Sequence, residues 1–180
     1  VINLGIGDPD LCPSDAVIGK LIESVQQPNH HGYQSYRGIP ELRKAIASWS
    51  KKNYHVELDS ETEILPLLGS KEGIMHISMS FLNRGDEVLV PDPGYPTYSS
   101  VTKFTDSKII FYDLKEKNNW SPDFKTLSKK ISKKTKLMWL NYPNMPTGAK
   151  ATDKILLSAI EFAHKHKILL CHDNPYSMIL

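Results

Sequence analysis

The stretch "KILLCHDNPY" (167–176) places a carboxylate and a phenol just after an apolar run. Asp173 follows the run 168–171 closely, and Tyr176 comes three residues later, after Pro175. A carboxylate at the end of a buried strand is costly unless a positive group meets it. The pattern therefore predicts that Asp173 pairs with a cation. The alternative is a carboxylate that only caps a turn.

The motif "GSKEGI" (69–74) could bind an anion. A glycine turn leads here into a predicted helix, whose first amides lack partners and whose dipole favours negative charge. Ser70 adds a hydroxyl and Lys71 a positive charge, which suits a phosphate monoester. The motif lacks the Lys-Ser/Thr ending of a P-loop and the three glycines of a dinucleotide fold. The competing interpretation is an ordinary strand-turn-helix in which Ser70 is the N-cap.

The motif "PDPGYPTY" (91–98) holds an aromatic side chain in a rigid turn. Its three prolines fix an extended backbone and place Tyr95 at the mouth of a predicted strand. An aromatic ring held in this way can stack on a flat ligand ring. Burial of Tyr95 in the core is the alternative.

Alternating elements must position these residues. Short apolar runs predict strands at 63–69, 86–91, 108–114, 136–142 and 167–173. Helical periodicity predicts helices between them, at 70–83, 95–104, 122–132 and 152–166. This alternation indicates an α/β fold with a mostly parallel sheet and helices on both faces. Ligands of such sheets bind beyond the carboxyl ends of the strands, where the three motifs lie.

The first part of the chain has a different pattern. Helices are predicted at 14–26 and 40–53, separated by a Gly- and Tyr-rich stretch. We interpret residues 1–55 as an N-terminal arm with part of a small domain, and residues 56–180 as the N-terminal part of a large domain.

Composition excludes several classes of protein. The 22 Lys and Arg nearly balance the 20 Asp and Glu, and neither nucleic acid nor membrane is expected as a partner. The lysine-rich run 127–136 has no interleaved aromatics and is typical of a solvated face. Cys12 and Cys171 are far apart, which predicts no disulfide framework and a cytoplasmic location. The His and Cys residues of "HKHKILLCHD" (164–173) lack zinc-ligand spacing, so no metal site is expected.

Taken together, the ordered motifs resemble the class I/II aminotransferases, which are fold type I enzymes that use pyridoxal phosphate. The resemblance covers the whole chain, and "INLGIGDPD" (2–10) looks most like the LL-diaminopimelate aminotransferase branch, although alanine and aspartate enzymes share much of it. Its motifs are "INLGIGDPD", "YQSYRGIPELR", "GSKEGI", "DPGYPTY", "NYPNMPTG" and "HDNPY".

The resemblance implies a role for each candidate residue. Ser70 and Lys71 would hold the cofactor phosphate, and Tyr95 would stack on the pyridine ring. Asp173 would pair with the ring nitrogen, and Tyr176 would bond the phenolic oxygen of the ring. The cation that Asp173 requires is then the protonated pyridine, which acts as the electron sink of the reaction.

Other implied features concern partners and substrates. Gly7 would lie near the substrate carboxylate, and the substrates would be an amino acid and a 2-oxo acid. Tyr33 matches a tyrosine that reaches the phosphate of the neighbouring subunit, which implies a homodimer.

Two departures from the family pattern stand out. Met145 occupies a position where the family usually has an Asn that bonds the phenolic oxygen, and a thioether has no proton to donate. The Schiff-base lysine of the family would lie beyond Leu180, so we expect these 180 residues to be a fragment that is inactive alone. A carbon-sulfur β-lyase that uses the same cofactor, or a non-catalytic binding module, remain alternatives.

Overall fold

The computed structural model describes residues 11–179, which form two compact units. One unit ends at Pro66 and the other begins at Leu67. The domain boundary that we infer from the sequence, between residues 55 and 56, stays a prediction.

The first unit contains two helices joined by a loop with one 3-10 turn. Helix α1 (Asp15–Val25) and helix α2 (Pro40–Tyr54) confirm the predicted helices to within a residue at each end, and the turn is Pro28–His30. Pro40 suits the first position of α2, because the amide that proline lacks would have no helical partner there.

A buried arginine holds this unit together. Arg43, on α2, is only 4% exposed. Its Nε donates to the Ser60 carbonyl at 2.9 Å, and its Nη1 donates to the Gly38 carbonyl at 2.6 Å. Its Nη2 lies 3.0 Å from both carboxylate oxygens of Glu61. The guanidinium therefore fastens two loops to α2 and has its charge balanced by Glu61.

The second unit is built on a four-stranded parallel sheet in the order β2-β1-β3-β4. The strands are β1 (Glu87–Asp92), β2 (Lys108–Asp113), β3 (Thr135–Asn141) and β4 (Leu169–Asp173). The helices are α3 (Ser70–Phe81), α4 (Pro96–Phe104), α5 (Phe124–Leu127) and α6 (Asp153–His166), and a 3-10 turn spans Glu116–Asn118. No helix within residues 11–179 has the length and apolarity needed to cross a membrane.

Both faces of the sheet are covered, as the apolar strands predict. Alternate strand residues point to opposite faces. Val88 and Trp139 pack with α3 and α4 on one face, and Leu89 and Leu140 pack with α5 and α6 on the other. The α/β fold class predicted from the sequence is confirmed.

Two predicted elements are wrong. The run 63–69 is not a strand: Pro66 has no amide to donate, and no strand in the described part of the chain pairs with the run. The helix predicted at 122–132 is limited to α5, because after Leu127 the backbone closes into tight turns at Lys129 and Lys130. Local apolar spacing does not specify either outcome, since a strand needs a neighbour and a helix needs a surface to pack on.

Arg43 provides a test of the first unit. Changing Arg43→Met leaves the carbonyls of Ser60 and Gly38 without these donors, which should lower the free energy of local opening by about 2 kcal/mol. Hydrogen exchange of the α2 amides measures that opening, and exchange should become about 30-fold faster.

The matched control is Arg37→Met. The Arg37 guanidinium lies 3.9 Å from Glu61, and its side chain is 55% exposed. An exposed pair of this kind contributes little, so exchange should hardly change. Equal acceleration in both variants would contradict the role assigned to Arg43.

Candidate active site

The parallel sheet brings its polar strand ends to one edge. Each of the four strands ends in Asp or Asn, and the carboxyl ends of parallel strands share an edge. Asn141 and Asp173 are direct neighbours in the register of β3 and β4. This edge is therefore the expected place for a ligand-binding site, as in other open α/β sheets.

Helix α3 starts at this edge with the predicted anion-binding residues. Gly69 precedes the helix with φ +95°, a backbone conformation that favours glycine, and it is the N-cap. Ser70 is thus the first helical residue and not the cap, which rules out the alternative role for its hydroxyl. Ser70 and Lys71 are both exposed. The amides of the first turn, the hydroxyl and the ammonium are available to an anion.

Tyr95 lies at the start of α4, where it is half-buried. The Lys71 ammonium lies 5.9 Å from the centre of its ring, within cation–π range. The preceding residue has to be small, because a Cβ on Gly94 would lie 2.5 Å from the Pro91 carbonyl oxygen. The glycine therefore permits the tight turn that carries Tyr95 towards Lys71.

Asp173 is met by a tyrosine that sequence reasoning missed. The Tyr98 hydroxyl donates to the Asp173 carboxylate at 2.6 Å. Tyr98 is fully buried, and burial, with Asp173 beside it, raises the pKa of the phenol well above its usual value. Tyr98 thus keeps its proton and always donates. No local sequence pattern singles out Tyr98, because its partner lies 75 residues further along the chain.

Aromatic packing fixes the Tyr98 ring. It stacks on Trp139 with a centroid separation of 5.1 Å and an interplanar angle of 11°. Tyr95 meets it edge-on at 5.8 Å. A continuous series of contacts, here called the contact series, thus runs from Lys71 through Tyr95 and Tyr98 to Asp173.

The turn after β3 is held through its backbone. The Met145 amide donates to the Asn141 Oδ1 at 2.7 Å, while the Met145 side chain is half-buried. The side chain of the neighbouring Asn144 is buried and bonded within the turn, with Thr147 Oγ1 at 2.8 Å. Asn144 therefore does not take over the position that Met145 occupies in the family pattern.

Three predicted site residues make none of the contacts that link Lys71, Tyr95, Tyr98 and Asp173. The Tyr176 side chain is 36% exposed, and its hydroxyl makes no hydrogen bond with residues 11–179. Tyr33 is fully exposed in the first unit. Gly7 lies outside the described residues. The roles assigned to these three residues stay predictions.

Cys171 and His172 come just before Asp173 on β4, and both make structural contacts. Cys171 packs against the core between the sheet and α3 and α4, and burial raises the pKa of its thiol to about 11. The His172 Nε2 lies 3.0 Å from the Tyr142 carbonyl, so this nitrogen carries the proton. Within residues 11–179, no group of three or more His, Cys, Asp or Glu side chains is arranged to hold a metal ion.

The arrangement suits a flat ligand that is anionic at one end and cationic at the other. Donors for a phosphate lie at the start of α3, and an aromatic face lies beside them at Tyr95. The carboxylate of Asp173, at the far end of the contact series, would balance a protonated ring nitrogen. These residues therefore fit pyridoxal phosphate.

Comparisons with known proteins agree with this geometry. The family described as aminotransferase class I and II matches residues 1–179. The LL-diaminopimelate aminotransferase of Halothermothrix orenii is 46% identical over 179 residues, which are 99% of this chain and 46% of that protein. The corresponding enzyme of a Dehalococcoides mccartyi strain is 44% identical over the same shares. The chain thus spans about half the length of the curated relatives it matches.

Comparison with solved structures shows that the fold is shared as well. Substrate-bound BacF from Bacillus subtilis is 41% identical, with a TM-score of 0.92 over 96% of this chain and 44% of that one. The alanine aminotransferase from Pyrococcus furiosus is 31% identical, with a TM-score of 0.86 over 91% of this chain and 41% of that one. From the family match, the sequence identities and the shared fold, we conclude that the chain belongs to the class I and II aminotransferases, a family of pyridoxal-phosphate-dependent enzymes.

Proposed function

We propose that the whole protein is an aminotransferase that moves an amino group between an amino acid and a 2-oxo acid with pyridoxal phosphate as cofactor. The observation that carries the proposal is the contact series from Lys71 through Tyr95 and Tyr98 to Asp173. It links an anion-binding helix start to a strand-end carboxylate that has one oxygen bonded to Tyr98.

Each residue of the series has a distinct task. The first amides of α3, with Ser70 and Lys71, bind the phosphate. Tyr95 packs on the ring and limits the access of water. When bound, pyridoxal phosphate supplies an electron sink that stabilises the carbanion of the substrate.

Asp173 performs the electrostatic task. It holds a proton on the ring nitrogen, since a carboxylate next to that nitrogen favours its charged form. Tyr98 orients the carboxylate by donating to Oδ2. Because Tyr98 stays protonated, it cannot accept the proton that Asp173 keeps on the ring nitrogen.

The remaining assignments rest on the family resemblance. Tyr176 donates to the phenolic oxygen, Gly7 lies near the substrate carboxylate, and Tyr33 reaches the cofactor phosphate of a second subunit in a homodimer. Residues 1–55 belong to the arm and small domain, and residues 56–180 to the large domain. The activity also requires a Schiff-base lysine, so it is proposed for a chain that carries one.

A screen of amino donors and 2-oxo acceptors tests the reaction. LL-Diaminopimelate leads the list of donors, because the relatives that are 44–46% identical are LL-diaminopimelate aminotransferases. Formation of a 2-oxo acid together with an aminated acceptor is expected. Release of ammonia and pyruvate from a cysteine-type donor would instead support the β-lyase, and cofactor binding without turnover would support the binding module.

Asp173→Asn tests the electrostatic role. A neutral amide cannot balance a positive ring nitrogen, so turnover should fall by at least about two orders of magnitude, while the cofactor still binds but more weakly. Steady-state kinetics and the absorbance of the bound cofactor measure the two effects separately.

The control is Asp113→Asn, at the end of β2. Asp113 is a strand-end carboxylate too, but its side chain is 58% exposed and pairs with Lys115 at 2.8 Å. This variant should keep near-normal turnover. Near-normal turnover of Asp173→Asn would contradict the assignment of Asp173.

Met145→Asn tests the departure from the family pattern. An amide donor beside the phenolic oxygen favours its deprotonated form, and a thioether offers no such donor. The visible absorbance of the bound cofactor should therefore change at a lower pH in Met145→Asn than in the unmodified protein.

A spectrophotometric pH titration provides the measurement. Met79→Asn is the control, because Met79 is 57% exposed on α3 and should leave the midpoint unchanged. An unchanged or higher midpoint in Met145→Asn would show that residue 145 does not face the ring.

A further inference from the structure

Asn141 forms hydrogen bonds with two different segments at the ligand-binding edge, the end of β4 and the turn after β3. It is the last residue of β3 and is 2% exposed. Its Oδ1 accepts from the Met145 amide at 2.7 Å, and its Nδ2 donates to the Asp173 carbonyl at 3.0 Å. An amide N–H can only donate and a carbonyl can only accept, so both ends of the Asn141 side chain are assigned without ambiguity.

These bonds connect the end of β4 to the turn that follows β3. In the proposed function, Asp173 faces the ring nitrogen, and Met145 lies in the turn that faces the phenolic oxygen. These two atoms lie on different parts of one rigid ring. The distance between the end of β4 and the Met145 turn therefore has to match the size of the ring. Asn141 spans that distance with a single buried side chain.

We propose that Asn141 is a positioning residue that aligns Asp173 with the cofactor ring, an inference that rests on the proposed function. Tyr98 orients the Asp173 carboxylate from α4, and Asn141 fixes the Asp173 backbone from β3. Without Asn141, the half-buried Asp173 carbonyl loses this donor and the strand end can shift relative to the Met145 turn.

Asn144 offers a matched comparison. It is also 2% exposed and lies three residues later, but its side chain bonds only within its own turn, to Thr147 and to the Asn141 carbonyl. Replacing Asn144 should therefore disturb the turn without changing the link to Asp173. A purely structural role of Asn141 would make the two residues behave alike.

Two substitutions separate the two ends of Asn141. Asn141→Leu removes both hydrogen bonds. Asn141→Asp keeps an acceptor for the Met145 amide and replaces the donor to the Asp173 carbonyl with an oxygen. Hydrogen exchange of the Met145 amide, measured without cofactor, should accelerate at least about tenfold in Asn141→Leu and stay slow in Asn141→Asp.

A double-mutant cycle tests the positioning role in the full-length protein. With Asp173 present, Asn141→Leu and Asn141→Asp should each raise the dissociation constant of pyridoxal phosphate about tenfold. In the Asp173→Asn background the same changes should have almost no effect, because the carboxylate that they misplace is gone. Asn144→Leu and Asn144→Asp should instead have equal effects in both backgrounds.

The possible results separate the two proposals. Equal effects of the Asn141 substitutions in both backgrounds would overturn the positioning role and leave the proposed function intact. An unmodified full-length protein that binds no pyridoxal phosphate would overturn both. If Asn141→Leu does not fold, Asn141→Asp carries the cycle, because it retains the bond to Met145.

Discussion

Parallel pairing of four strands is the constraint on which the site depends. It forces Asp92, Asp113, Asn141 and Asp173 onto one edge of the sheet, whatever their surroundings. The charge and hydrogen bonding of each side chain then depend on the partners that neighbouring elements provide. Asp113 pairs with Lys115 in solvent, and this pairing lowers the pKa of the carboxyl. Asp173 is met by the buried Tyr98, which leaves it one oxygen for a ligand.

The candidate site separates opposite charges by an aromatic layer. Lys71 and the start of α3 provide positive potential at one end. Tyr95 and Tyr98 lie between, and Asp173 provides negative charge at the other end. A ligand with one charge of each sign can satisfy both ends only in one orientation. This polarity is enough to orient a small molecule in the site.

The sequence predicts the long, strongly periodic elements well and the tertiary contacts poorly. Helices α3, α4 and α6 and all four strands of the sheet follow from apolar spacing, and their order places Tyr95 and Asp173 at one edge. The start of α3 follows no strand, and the contact of Lys71 with Tyr95 links it to that edge. The apolar run 63–69 predicts a strand that the structure does not form, because pairing depends on a distant neighbour. The Tyr98–Asp173 bond spans 75 residues of sequence. No local pattern can specify such a contact, since it depends on how α4 packs on the sheet.

The turn after β3 shows why residue 145 can vary. Asn141 grips the backbone amide of Met145, and the buried Asn144 supports the rest of the turn from inside. Neither contact uses the side chain at position 145. The turn can thus keep its shape while that side chain changes from an amide to a thioether. Such a change would alter the chemistry offered to a bound ring, because the donor is lost, but not the backbone scaffold that presents it. The departure from the family pattern is therefore compatible with an intact site, whose remaining hydrogen-bond donors would determine the protonation of the ring.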